Sequence, residues 1–307
     1  MTTDDSARGP IPLRPMDLGD LLDGAVRLFV ANWRALLLAV GVLVVPLQLL
    51  AAFLQRGELR LGLFQMFTDP TPLGSPGPQG ALLSSGQLAA LAVTGLAFFL
   101  VLPVLAGAVC VIVGRSYLGQ AVDWRTALGV AWERFGSLLG AAVLVHLVEF
   151  GLLMPALVVF STGLVTGSGG LAVLGLLLLL GGIVGVIIAV ALYAAVAPAV
   201  VIEGIGPVAA MRRSRRLRQP RLWPTVGAVI VAGLLAVIVG GILGFLPQAV
   251  GTGLGGPFAW VLVGVSGLLS QLVQIPFTAI VATLLYFDGR IRQEGFDLQM
   301  MAADLDR

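Results

Sequence analysis

The 307-residue chain is 58% hydrophobic and 11% charged, with a mean hydropathy of +1.01. Soluble domains run at about 45–50% apolar and about 25% charged, so a soluble globular fold is excluded and several membrane spans are required. A formal charge of +2 is too small to argue for a nucleic-acid partner, and only the placement of charge carries information.

All 18 basic residues are arginine, and with abundant Ala, Gly, Leu and Val this is the composition of a GC-rich bacterial genome. The single cysteine, Cys110, lies inside an apolar run and leaves no intramolecular disulfide. Residues 1–16 are polar and proline-bearing and are predicted to be a disordered tail. No short apolar core with a small-residue cleavage site follows, so the first apolar run is expected to be a retained anchor rather than a removed signal peptide.

Structure is predicted to begin at Asp17, a suitable helix N-cap. From there Leu18, Leu21, Leu22, Ala25, Phe29 and Trp33 follow helical spacing, with Asp20, Arg27 and Arg34 on the other face. This is either a helix lying in the membrane interface or one packed on the rest of the protein. A first span over residues 35–54 covers about 30 Å, the thickness of the hydrocarbon core. Residues 55–86 form the longest loop, rich in Pro, Gly and Ser. A second span follows over 87–113, with Pro103 as a kink.

Asp123 then caps a second amphipathic segment, where Trp124, Ala127, Leu128, Ala131, Trp132 and Phe135 share one face. The third span is predicted at 137–160 and the fourth at 171–202. The fourth is about 48 Å long as a straight helix, so it must tilt, bend or protrude, and Pro198 places a bend near its far end. A third amphipathic segment starts with Pro207 at the first helical position, its stripe of Ala210, Met211, Ser214 and Leu217 lying opposite the arginines. The fifth and sixth spans follow at 225–246 and 258–286.

Residues 203–221 decide the orientation, because they place six arginines between two spans. Four more arginines precede the first span, three lie between the second and third, and three follow the sixth. That makes 16 on one side against Arg56 and Arg60 on the other. Excess arginine in short loops marks the cytoplasmic face. The fold predicted is an all-α integral membrane protein with six transmembrane helices and both termini cytoplasmic, in a bacterial inner (cell) membrane. Its parts are a tail at 1–16, a membrane domain at 17–286 and a cytoplasmic tail at 287–307. Three times an amphipathic segment precedes a hairpin with prolines in both arms (Pro46 and Pro103, Pro155 and Pro198, Pro247 and Pro276), as if one unit had been repeated.

Chemistry-bearing residues are few. His146 and Glu149 stand three apart in the third span, on one helical face. Intramembrane ionisable groups suit proton relay or ion binding, but a neutral Glu bonded to His or to backbone fits equally. Ser266, Ser270, Gln274 and Thr278, with Gln271 beside them, form a polar track on the sixth span that either joins helices or lines a solute path. Gly181 with Gly185, and Gly240 with Gly244, have the spacing of close helix contacts. Arg212, Arg213, Arg215, Arg216 and Arg218, with Glu203, are the candidate group for binding anionic lipid or a protein partner, and the same arginines serve plain topological anchoring. Glu203 is expected to pair with one of them, and Asp288 with Arg292 and Arg290 with Glu294 to pair at helical spacing. No aromatic platform interleaves the arginines, so no nucleic acid is expected. No metal site, cofactor, nucleophile system or phosphate loop is recognisable, and no enzymatic activity is expected.

The segments PMDLGDLLDGAVRLFVANWRAL, APAVVIEGIGPVAAMRRSRRL and TLLYFDGRIRQEGFDLQ resemble landmarks of an actinobacterial family of uncharacterised multi-pass membrane proteins. More loosely, the chain is similar to the membrane domain attached to some glycerophosphoryl diester phosphodiesterases. In those relatives catalysis belongs to a separate barrel with a His-Arg-Gly motif. His146 is followed here by Leu147 and Val148, so the resemblance implies no phosphodiesterase activity.

Overall fold

A computed structural model describes residues 15–56, 85–120, 122–254 and 258–296. The predicted disorder of residues 1–14, most of the long loop with Arg60, and the tail beyond 296 with Arg307 lie outside the described residues. The chain is all-helical, with no strand among the described residues. In order it forms α1 (Leu18–Ala31), α2 (Trp33–Leu54), α3 (Ser85–Tyr117), α4 (Trp124–Glu133), α5 (Phe135–Val165), α6 (Gly169–Tyr193), α7 (Val196–Glu203), α8 (Pro207–Arg218), a single 3-10 turn (Gln219–Arg221), α9 (Leu222–Leu254) and α10 (Ala259–Glu294). Among these are six helical stretches long and apolar enough to cross a membrane, which makes this a multi-pass membrane protein.

Local chemistry sets the helix ends. Asp17 caps α1, its Oδ1 accepting from the Asp20 amide at 2.8 Å, and Asp123 caps α4 by accepting from the Arg125 amide at 3.2 Å. Gly204 (φ 68°) and Gly295 (φ 60°) terminate α7 and α10 in the left-handed conformation that glycine adopts without steric penalty. The spans are longer than predicted. α10, at 36 residues, is about 54 Å long against a hydrocarbon core of about 30 Å, so its last turns stand clear of the lipid interior. The predicted tail at 287 therefore begins as a continuation of α10.

The fourth span is bent by a break. Its two pieces, α6 and α7, meet at Ala194 and Ala195, four and three residues before Pro198. Pro198 has no N–H to give the Ala194 carbonyl, so the helix cannot run straight through.

Each amphipathic helix leads directly into an outgoing span, and each docks mainly on the returning span of another unit. α1 packs on α10, α4 on α3, and α8 on α7 with flanking contacts to α5 and α6. Of the two readings of α1, the structure supports docking on protein: Leu21, Ala25 and Leu28 are buried, while Leu18, Val26 and Val30 stay exposed. The buried core gathers at the end where these helices lie. It contains the last half of α3 (Val104, Leu105, Val109, Ile112, Val113 and Tyr117) and the last half of α10 from Phe277 to Ile291. Tyr117 stacks on Phe287 at 4.7 Å between ring centroids. Among the described residues α5 and α6 are the most exposed of the spans.

Within the membrane, helix contacts are made by glycines and the polar track. Ser270 donates to the Gly240 carbonyl at 2.8 Å, and Gln271 donates to Gln48 on α2 at 3.1 Å. Gln274 and Ser266 lie against Gly240 and Gly244 of α9. The track therefore joins helices, the first of its two predicted uses. The Gly181–Gly185 expectation needs correction. Gly181 faces open space, whereas Gly185 does lie against Leu152 of α5 and Gly182 beside it approaches more tightly, a Cβ there meeting the Leu152 carbonyl oxygen at 2.9 Å.

Candidate functional site

The end where α7, α8 and α10 meet carries the densest arrangement of charge. α8 begins with Pro207 in its first turn, as expected, and buries Ala210, Ser214 and Leu217 at helical spacing. Arg213 lies at the edge of that stripe. Its Nε donates to Glu203 Oε1 of α7 at 2.7 Å, and its two terminal nitrogens form a fork on the Glu294 carboxylate of α10, Nη2 to Oε2 at 2.9 Å and Nη1 to Oε1. Tyr286 donates to the same Glu203 oxygen at 2.7 Å, and Arg290 Nε donates to Glu294 at 3.2 Å. Five side chains thus join three helices. Glu203 pairs with an arginine, and both tail pairs form, as the spacing indicated.

A second cluster ties the start of the described chain to its end. Asp288 accepts from Arg292 Nε at 2.7 Å and from the Met16 amide at 3.0 Å, while Arg292 also donates to the Met16 carbonyl at 2.8 Å. Gln293 donates to the Leu217 carbonyl at 2.8 Å.

Ser214 holds α8 to the break in the fourth span. Its hydroxyl donates to the Leu192 carbonyl at 2.7 Å and accepts from the Ala195 amide at 3.1 Å, pairing two backbone groups at the break. Sequence reading placed Ser214 on an apolar stripe and missed this role. Ser214→Ala is expected to destabilise the protein by about 1–3 kcal/mol, the cost of leaving buried backbone groups unmatched. A thermal midpoint within error of wild type would refute the clasp.

The candidate arginines divide into two groups. Arg212, Arg215 and Arg216 are exposed. Arg213 is engaged in the network, and Arg218 is buried, only 2% exposed, rather than facing away from the stripe. The signal was present in the spacing: Arg218 stands four residues after Ser214 and eight after Ala210, on the stripe itself. Three exposed tryptophans surround this end, Trp33 and Trp223 at the start of outgoing spans and Trp132 in the last turn of α4: Trp33 at 48%, Trp132 at 66% and Trp223 at 71%. Arg56, by contrast, lies at the far end of α2, donating to the Phe53 carbonyl at 2.8 Å.

The intramembrane candidates are not brought together. His146 Nδ1 hydrogen-bonds to the Ala142 carbonyl of its own helix at 2.9 Å, and its ring stands edge-on to Phe99. No hydrogen bond or ion pair joins His146 to Glu149, and Glu149 has no partner among the described residues. A cavity of about 350 Å³ at the break in the fourth span reaches His146, Tyr193 and Thr278, but its other walls are apolar and it does not include Glu149, Ser270 or Gln274. Among the described residues no cluster of His, Cys, Asp and Glu could hold a metal ion.

A family model described as a domain of unknown function, DUF7847, matches residues 16–287. The chain belongs to the DUF7847 family. No curated protein and no solved structure matches it. The DUF7847 match begins at Met16, whose backbone is held by Asp288 and Arg292, and ends one residue before Asp288. It therefore takes in five spans whole, the sixth as far as Phe287, and the three amphipathic helices of this DUF7847 protein.

Proposed function

We propose that this protein is a non-catalytic component of a bacterial cell membrane, with its charged end and both termini in the cytoplasm, and that this end binds anionic lipid headgroups. The single observation that carries the reading is the division among the α8 arginines. Arg213 is consumed by structure, whereas Arg212, Arg215 and Arg216 are exposed beside exposed Trp223. Cationic side chains at headgroup depth attract anionic lipid by about 1 kcal/mol each, and tryptophan belts mark that depth. The 16-to-2 arginine asymmetry supports the orientation. The looser likeness to phosphodiesterase membrane domains fits a membrane role and carries no catalysis with it. Transport finds less support, because Ser270 and Gln271 are taken up in helix contacts and the cavity at His146 is mostly apolar.

Changing Arg212, Arg215 and Arg216 together to Gln, with Arg213 left intact, is expected to weaken retention of phosphatidylglycerol by the full chain by about 3 kcal/mol, roughly a hundredfold. Retention of phosphatidylcholine should not change. Native mass spectrometry of the lipid retained by the full chain in nanodiscs checks it. Unaltered retention of phosphatidylglycerol would refute the reading.

A further inference from the structure

We propose that the cavity beneath Arg218 is a pocket for a phosphate-bearing anion, supplied either by a phospholipid headgroup or by free phosphate. The proposal rests on the reading of the charged end as lying at headgroup depth, but it concerns a site apart from the exposed α8 arginines. The cavity, about 160 Å³, lies between the start of α1, the 3-10 turn, the first turns of α9 and the end of α10, and its lining includes Asp17, Arg218, Arg221, Thr225, Gly227 and Asp288.

Arg218 is the reason to expect a ligand. Its guanidinium is almost wholly buried, and its Nε has no hydrogen-bond partner among the described residues. A buried cation without a matched acceptor is costly, and native proteins satisfy such groups. Burial pulls its pKa down to about 10, with Asp288 opposing that shift and Arg221 and Arg292 adding to it. The nearby carboxylates are already engaged. Asp288 receives Arg292 and the Met16 amide, and Asp17 caps α1. The lining balances Arg218 and Arg221 against Asp17 and Asp288, but with Asp288 taken up by Arg292 and Met16 and Asp17 by the α1 cap, no acceptor meets the Arg218 Nε. The Thr225 hydroxyl donates to the Arg221 carbonyl at 2.9 Å, so recognition of the anion falls to the arginines and not to this proton.

The seat for Arg218 is shaped by Gly289. A Cβ at that position would lie 2.0 Å from Arg218 Nη2, so only glycine allows the guanidinium to lie against α10. A planar guanidinium with free donors is matched to phosphate oxygens. The volume corresponds to about five waters at about 30 Å³ each, room for a phosphate and a few further heavy atoms but not for an acyl chain. The chain or chains of a bound lipid would lie outside, along α9.

The test uses the full chain, delipidated in detergent and titrated separately with phosphatidylglycerol, phosphatidylcholine and inorganic phosphate, and read by native mass spectrometry at low and raised ammonium acetate. Wild type is expected to keep a single anion at raised salt, where the surface-bound lipids are screened away. Arg218→Gln should weaken that one adduct by at least about tenfold. Gly227→Leu, which has no atom within 4 Å of its new Cβ and leaves every charge in place, should block the cavity with the same effect. Competition by inorganic phosphate against phosphatidylglycerol supports recognition of the phosphate itself. Retention of phosphatidylglycerol without such competition supports a lipid as the source. A single adduct that survives both variants, or no salt-resistant adduct in wild type, overturns the pocket. Loss of lipid only in the Arg212, Arg215 and Arg216 triple variant would uphold the surface reading while refuting this one.

Discussion

Arg213→Ala is expected to destabilise the protein by about 2–4 kcal/mol. Removing one member of a buried ion pair costs about 3–5 kcal/mol because it strands the partner charge, and the partial exposure of Arg213 and its two carboxylates lowers that figure. Two carboxylates, Glu203 and Glu294, lose their common cation at once, and Tyr286 is left bonded to one of them. The loss should appear as a lower thermal midpoint of the purified protein in detergent. Arg212→Ala, one residue earlier on the exposed face, is the control and should stay within about 0.5 kcal/mol of wild type. Adding Glu294→Gln to Arg213→Ala should cost less than the sum of the two single changes, since each already breaks the same fork. Equal midpoints for the Arg212 and Arg213 variants would show that the network does not hold α7, α8 and α10 together.

Gly175→Leu is expected to be more damaging still, by more than about 3 kcal/mol, at the upper end of the range for overpacking. A Cβ on Gly175 of α6 would stand 2.3 Å from the backbone N and Cα of Phe160 on α5, and one on Gly163 would stand 2.3 Å from the Ala172 amide nitrogen. Backbone cannot turn aside as a side chain can, so the two helices must separate. Since α5 and α6 are the least covered spans, little else holds this hairpin. Gly181→Leu, in contrast, enters open space and should behave like wild type. Size-exclusion profiles and thermal midpoints of the two variants provide the comparison, and similar profiles for both would refute the close contact.

Much of the fold was legible because it depends on local chemistry. Asp17, Asp123 and Pro207 mark helix starts through their own side chains or ring, and apolar run length alone finds the spans. Pairs within one helix, such as Asp288 with Arg292, follow from spacing. What sequence could not supply is the identity of whatever stands opposite a given face. Arg218 lay on the buried stripe by its spacing, yet its charge argued for exposure, and only the glycine at 289 on another helix makes room for it. Gly182 rather than Gly181 meets α5 because the rotation of α6 about its axis is set by packing. His146 and Glu149 share a helical face, but a three-residue spacing permits a bond without requiring one. The fourth span's bend was foreseen from Pro198, whereas Ser214 could not be matched to it, being 16 residues further along and on a different helix.

The docking order of the three amphipathic helices bears on how the protein is made. α4 and α8 settle on α3 and α7, which the ribosome has already delivered. α1 has no such predecessor, since its seat on α10 is translated last of all the described elements. Its Leu21, Ala25 and Leu28 must therefore wait for the final span to be inserted, and the circle of units closes only when the earliest helix meets the latest.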